Sequence, residues 1–124
     1  YSWFSSPAGG LVPEQYDDSY CFFLDGQAFE YNNNGETVNP FDGYQAQPFT
    51  NPADMTWVFS PGTGADGADQ IILPEGLFTG VRDASNTADI ITITETELVL
   101  RAKQVDVNGD PTPQGWFDIY FIAQ

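Results

Sequence analysis

Between positions 89 and 124 apolar and polar residues alternate so regularly that the chain there has little choice but antiparallel strands. Residues 90–94 and 98–105 are β-branched and aliphatic runs, and the Thr-Glu-Thr-Glu stretch where they meet suits a four-residue hairpin loop. Such a loop pairs Ile93 with Leu98 and Ile91 with Leu100. A second turn at 106–111 is polar, carries Gly109 near its centre, and returns the chain as a strand over 115–123. The expected unit is a three-stranded antiparallel meander.

Parity divides that meander into two faces. Leu98, Leu100, Ala102, Phe117, Ile119 and Phe121 form an all-apolar set, which predicts the core face. With Val105 opposite Gln114, or close to it, the other face sets Lys103 beside Trp116, Arg101 beside Asp118 and Val99 beside Tyr120. Two of the chain's three cations then share one face with a Trp, a Tyr and an Asp. A slip of one residue would undo this arrangement, because it turns every side chain to the opposite face.

A chain of 124 residues is enough for one domain with a single core. It holds ten Phe, six Tyr and three Trp, and its nine Pro and twelve Gly are spread along its length. Short β-branched or aromatic runs between such breakers predict an all-β fold: an antiparallel β-sandwich or a flattened up-and-down, lipocalin-like barrel, of about eight or nine strands. No amphipathic helix pattern is present, no apolar run reaches the length of a membrane span, and no secretory signal opens the sequence. The abrupt start at Tyr1, Ser2, Trp3 and Phe4 leads us to expect a domain excised from something longer.

Eighteen Asp and Glu face Arg82, Arg101 and Lys103 alone, for a formal net charge of −15. A field of that sign repels nucleic acid, anionic membrane surfaces, and sulfated or uronate polysaccharides, so neutral partners are favoured. Solubility is the ordinary role of such acidity. Cys21 is the single cysteine, which rules out an internal disulfide, and its aromatic surroundings predict a small buried hydrophobe. The absence of His removes His-dependent triads, His general bases and His-ligated zinc or copper.

Along the chain, residues 19–24 and 27–31 flank a tight Asp25-Gly26 turn and predict a second hairpin. Residues 36–54 read as a long irregular segment, with Phe41, Tyr44 and Phe49 set among Pro40, Pro48 and Pro52. Residues 55–60 predict a strand with Met55, Trp57 and Phe59 on a core face. The loop at 62–69 reads as flexible, and its glycines lack the order of a phosphate-binding loop. Residues 70–73 and 77–81 are expected as short strands, and 82–88 as a polar connection.

Three constellations bear on chemistry. Neutral sugars stack their C–H faces on Trp and Tyr while Asp and Arg bond their hydroxyls, and Trp116, Asp118, Tyr120, Arg101 and Lys103 supply all of those parts. The competing role for Trp116 is packing beneath a second layer, since Trp is highly buried on average. Trp3 and Tyr44 are further aromatic candidates. Asp106, Asn108 and Asp110 stand at alternate positions as in a calcium loop, but Pro111 takes the place of the required Gly and Phe117 that of the bidentate Glu. A plain hairpin turn is therefore the expectation, with no metal or other cofactor and calcium the sole candidate left. Glu30, Glu36, Asp42, Glu95 and Glu97 offer no recognisable pair of carboxylates for glycoside hydrolysis.

Several of these blocks, in order, resemble a known family. Trp3 to Ala8, the Tyr16-Asp17-Asp18-Ser19-Tyr20 strand leading into Asp25-Gly26 and on to Tyr31, and the hairpin from Ile91 to Arg101 resemble the domain that follows PKD modules in surface lipoproteins of Bacteroidetes. Such proteins are encoded with polysaccharide-capturing outer-membrane transport systems. The resemblance implies a non-catalytic, surface-exposed glycan-binding domain of lipocalin-like or sandwich type.

Together these readings predict a single, monomeric domain that binds a neutral polysaccharide, such as a β-glucan, without breaking it. It would be anchored at the outer membrane through upstream sequence, or be extracellular, with no insertion of its own and no nucleic-acid partner. The alternatives are a structural spacer or protein-interaction module, and a carrier of a small apolar molecule inside a barrel.

Overall fold

The computed structural model describes residues 17–123. The aromatic start at positions 1–4, with Trp3, lies outside them. Nine antiparallel strands form the described fold. β1 (Ser19–Phe22) and β2 (Phe29–Asn32) make one ribbon, and β3 (Glu36–Asn39) and β4 (Gln45–Pro48) make another. β5 (Val58–Ser60), β6 (Gln70–Ile72), β7 (Ala84–Ile93), β8 (Glu97–Val105) and β9 (Pro111–Ile122) form a five-stranded sheet in sequence order. The β1–β2 ribbon packs on one face of that sheet, giving an all-β, sandwich-like fold. The sheet stays open, with β5 and β9 at its edges, rather than closing as a barrel.

The meander is present as β7, β8 and β9. Lys103 pairs with Trp116, Arg101 with Asp118, Val99 with Tyr120 and Ile93 with Leu98, as the alternation predicts. Two details differ. Ile90, not Ile91, lies opposite Leu100, because a bulge at Ile91 inserts one unpaired residue before Thr92 meets Val99. Val105 lies opposite Pro111 rather than Gln114, because a second irregularity sets Gln104 against several residues of β9. The strand expected to begin at Gly115 therefore begins at Pro111. β7 also starts at Ala84, so most of the expected polar connection is strand.

Leu100 and Ala102 are fully buried, and Leu98, Phe117 and Phe121 pack partly buried against the same core. Ala88 and Ala102 are cross-strand partners, and having nothing beyond Cβ they leave volume for rings from the opposite layer. Those rings come from the ribbon. Tyr20, Phe22, Phe29 and Tyr31 meet edge to face at 5.0 to 5.3 Å between centroids, and Tyr20 also reaches Phe121. Tyr20 and Phe22 take the inward positions of β1, which turns Cys21 outward: it is exposed, not the buried hydrophobe expected from its neighbours.

The β1–β2 pairing ends at Phe22 and Phe29, short of the tight Asp25-Gly26 turn expected. Gly26 and Gln27 both take left-handed backbone, and a single 3-10 turn at Asp25–Gln27 closes a wider loop. Residues 55–57 bridge to the start of β2 before the chain enters the sheet as β5. Trp57 is buried there and donates its indole N–H to the Phe23 carbonyl at 2.9 Å, whereas Phe59, expected in the core, is half exposed on the edge strand. Residues 77–81 are not a strand. They form a buried loop that inserts Leu77 and Phe78 into the core, and the Thr79 N–H and hydroxyl both donate to the Ser85 carbonyl. Within the segment expected to be irregular, β3 and β4 form a regular hairpin.

The Tyr20 hydroxyl holds this loop to the ribbon, donating to the Phe78 carbonyl at 2.5 Å and accepting from the Gly80 N–H at 3.0 Å. Tyr20→Phe keeps the ring but strips a partner from two backbone groups in the protein interior. The expected loss is about 1 to 3 kcal/mol in urea unfolding. A loss below about 0.5 kcal/mol, the range of ordinary surface changes, would contradict the role given to this hydroxyl.

Candidate functional site

On the sheet face opposite the ribbon Trp116 and Tyr120 stand exposed, while Val99 on the same face is buried. The residues of this face follow from register: Asp89 on β7 faces the same way as Arg101 on β8 and Asp118 on β9, with Lys103 beside Trp116 in one adjoining row and Val99 beside Tyr120 in the other. Trp116 is 49 % exposed and Tyr120 69 % exposed, so neither serves as core.

Arg101 grips Asp118 with two parallel bonds, Nε to Oδ1 at 2.7 Å and Nη2 to Oδ2 at 2.9 Å. The same guanidinium lies over the Trp116 ring, its Cζ 5.6 Å from the centroid. The Asp118 hydrogen bonds push the Arg101 pKa further up. On an exposed face such a pair contributes little to stability, but its bidentate geometry fixes both side chains and the indole beside them.

On the β6 side the loop at 61–69 folds back over this face. Asp89 accepts from Gln70 Nε2 at 2.8 Å and from the Ala65 N–H at 3.2 Å, while Thr63 donates to Gln70 Oε1 at 2.7 Å. Gly64 sits so close that a Cβ there would overlap the Asp89 carboxylate and stand 2.9 Å from the Ala68 carbonyl. The segment expected to be flexible is thus a pinned wall.

Five of the sequence-predicted residues, Arg101, Lys103, Trp116, Asp118 and Tyr120, therefore share one face of the sheet. Tyr44 is exposed but sits in the β3–β4 turn, on a separate two-stranded sheet, and Trp3 lies outside the described residues. Asp89 and Gln70 went unrecognised because residues 82–88 read as a connection, which hid the strand that places Asp89 opposite Arg101. The 106–110 segment is a hairpin turn whose Asp106 Oδ1 accepts from the Asn108 and Asp110 N–H groups. Among the described residues no group of three or more Cys, Asp and Glu is arranged to hold a metal ion.

Two carboxyls elsewhere are perturbed. Asp18 Oδ2 accepts from Tyr31 Oη at 2.6 Å and from Thr37 Oγ1 at 3.3 Å, while Oδ1 is buried without a partner. Burial pushes this carboxyl up from 3.8 to about 6, opposed by the Tyr31 hydrogen bond and aided by the Asp17 charge. Burial also raises Asp83, against a hydrogen bond from Gln104. The two have separate hydrogen-bond partners. Comparisons of the chain with family models, curated proteins and solved structures find no match.

Asp18 generates a pH prediction. Its native pKa lies above the unfolded value, so between pH 4 and 6 the folded chain holds more protons than the unfolded chain. Its contribution to stability therefore falls as pH rises through that window. After discounting for a half-exposed group, the change is about 1 to 2 kcal/mol. Urea unfolding of wild type and Asp18→Asn at pH 4 and pH 7 isolates it from the other carboxylates. The wild type is expected to lose that much stability relative to the variant at the higher pH. An unchanged difference would contradict the assignment.

Proposed function

We propose that this domain binds a neutral polysaccharide, specifically a β-glucan, at the bacterial cell surface and does not cleave it. The observation that carries this reading is Trp116. It stands half exposed on the sheet face opposite the ribbon, steadied by Arg101, which is itself fixed by Asp118. An indole face beside a charged hydrogen-bonding pair matches the two needs of a sugar ring, apolar stacking and polar contact at the hydroxyls. The net charge of −15 favours a neutral glycan over an anionic one. The resemblance to domains that follow PKD modules in Bacteroidetes surface lipoproteins supports the location and the lack of catalysis.

A protein-interaction module is the second reading. It is favoured by Ile93 and Ile122, both largely exposed where β7, β8 and β9 meet the hairpin end.

Affinity electrophoresis through gels containing β-glucan separates the two. Retardation of the wild type is expected, and Trp116→Ala should weaken it by about tenfold to a hundredfold, the equivalent of roughly 1 to 3 kcal/mol of stacking and expelled water. The variant should keep its melting temperature, and incubation of the wild type with the glucan should release no reducing ends. Unchanged retardation of a well-folded variant, or release of reducing ends, would overturn the proposal.

A further inference from the structure

We infer that the polysaccharide lies lengthwise along β8 and β9, from Trp116 to Tyr120, and not across the strands of the sheet. This placement rests on the glycan-binding reading. Two paths are open in principle. A row of polar side chains, Gln70, Asp89, Arg101 and Asp118, runs across the sheet and could guide a crosswise chain. That path is closed at Asp89. The Ala65 N–H and Gln70 already bond both carboxylate oxygens, and Gly64 stands against the same group with no room for a Cβ. A crosswise chain would run into the 61–69 wall after two strands.

The lengthwise path passes over the buried Val99 and meets, among the described residues, no hydrogen-bonded loop like the 61–69 wall. Trp116, Asp118 and Tyr120 point to one side of a single strand, and four residues of β-strand separate the two rings by about 14 Å. A pyranose advances an extended chain by about 5 Å on ordinary bond lengths, so about three units reach from ring to ring. The apolar platforms then stand at the two ends, and the Arg101–Asp118 pair lies between them. Arg101 uses its Nε and one Nη2 proton on Asp118, and each carboxylate oxygen keeps a further lone pair for a hydroxyl.

The test is a calorimetric length series with β-1,3- and β-1,4-linked gluco-oligosaccharides of two to six units. The proteins are wild type, Trp116→Ala and Tyr120→Ala, with each variant's melting temperature checked first. Affinity should climb up to the tetrasaccharide and then level off. Each substitution should weaken the tetrasaccharide by about tenfold. It should weaken the disaccharide by no more than about twofold, because a short ligand can use whichever ring remains. Tetrasaccharide affinity that is indifferent to Tyr120→Ala while Trp116→Ala abolishes it overturns the lengthwise placement and leaves glycan binding intact. If wild type binds none of the oligosaccharides and no parent glucan, both the placement and the glycan reading fall.

Discussion

The Tyr20 hydroxyl joins parts of the chain that are some sixty positions apart, bonding the Phe78 carbonyl and the Gly80 N–H from the first strand of the ribbon. With that tie in place, the ribbon's rings lie over Ala88, Leu100 and Ala102, and the core is sealed on one side of the five-stranded sheet. Burying aromatic and aliphatic side chains there contributes about 1.5 to 3 kcal/mol each. The ribbon covers one face of the sheet, and the rings of Trp116 and Tyr120 stand exposed on the other. The outer face carries a partly buried Arg101, exposed Lys103, Asp118 and Tyr120, and a half-exposed Trp116, with Val99 the buried residue among them.

That face was legible in the sequence because strand parity survives local errors. Anchoring Val105 opposite Gln114 misplaced the end of the β8–β9 ladder, yet the pairs from Lys103 with Trp116 onward were correct, since the irregularity falls entirely beyond them. The bulge at Ile91 left no trace, because Ile90, Ile91, Thr92 and Ile93 are all good strand formers and no Gly or Pro marks the extra residue. Cys21 was misjudged for a related reason: a nearly continuous apolar run does not reveal which parity faces inward. Residues 77–81 read as a strand, but their carbonyls and amides find partners in Tyr20 and Ser85, contacts set by tertiary structure alone. The 61–69 wall was invisible for the same reason, since a loop rich in Gly and Asp reads as flexible until its acceptor, Asp89, is placed.

On the proposed glycan-binding reading, charge would set the selectivity of the outer face. Against a net charge of −15, two of three cations sit together, and Arg101 is already committed to Asp118. An anionic ligand would meet a local positive group inside a repulsive overall field, whereas a neutral sugar meets donors, acceptors and rings without that opposition. The wall at Asp89 limits the open surface to β8 and β9, which turns a broad sheet face into a narrow platform.

Amide chemical-shift mapping of the isotope-labelled protein during titration with a soluble β-glucan oligosaccharide tests the central claim most directly. The account predicts perturbations concentrated on β8 and β9 around Arg101, Trp116, Asp118 and Tyr120, reaching the Gly64 and Ala65 amides at the wall, and little change in the β1–β2 ribbon or the Tyr44 turn. Shifts centred on the ribbon or on the β3–β4 hairpin, with β9 silent, would contradict it.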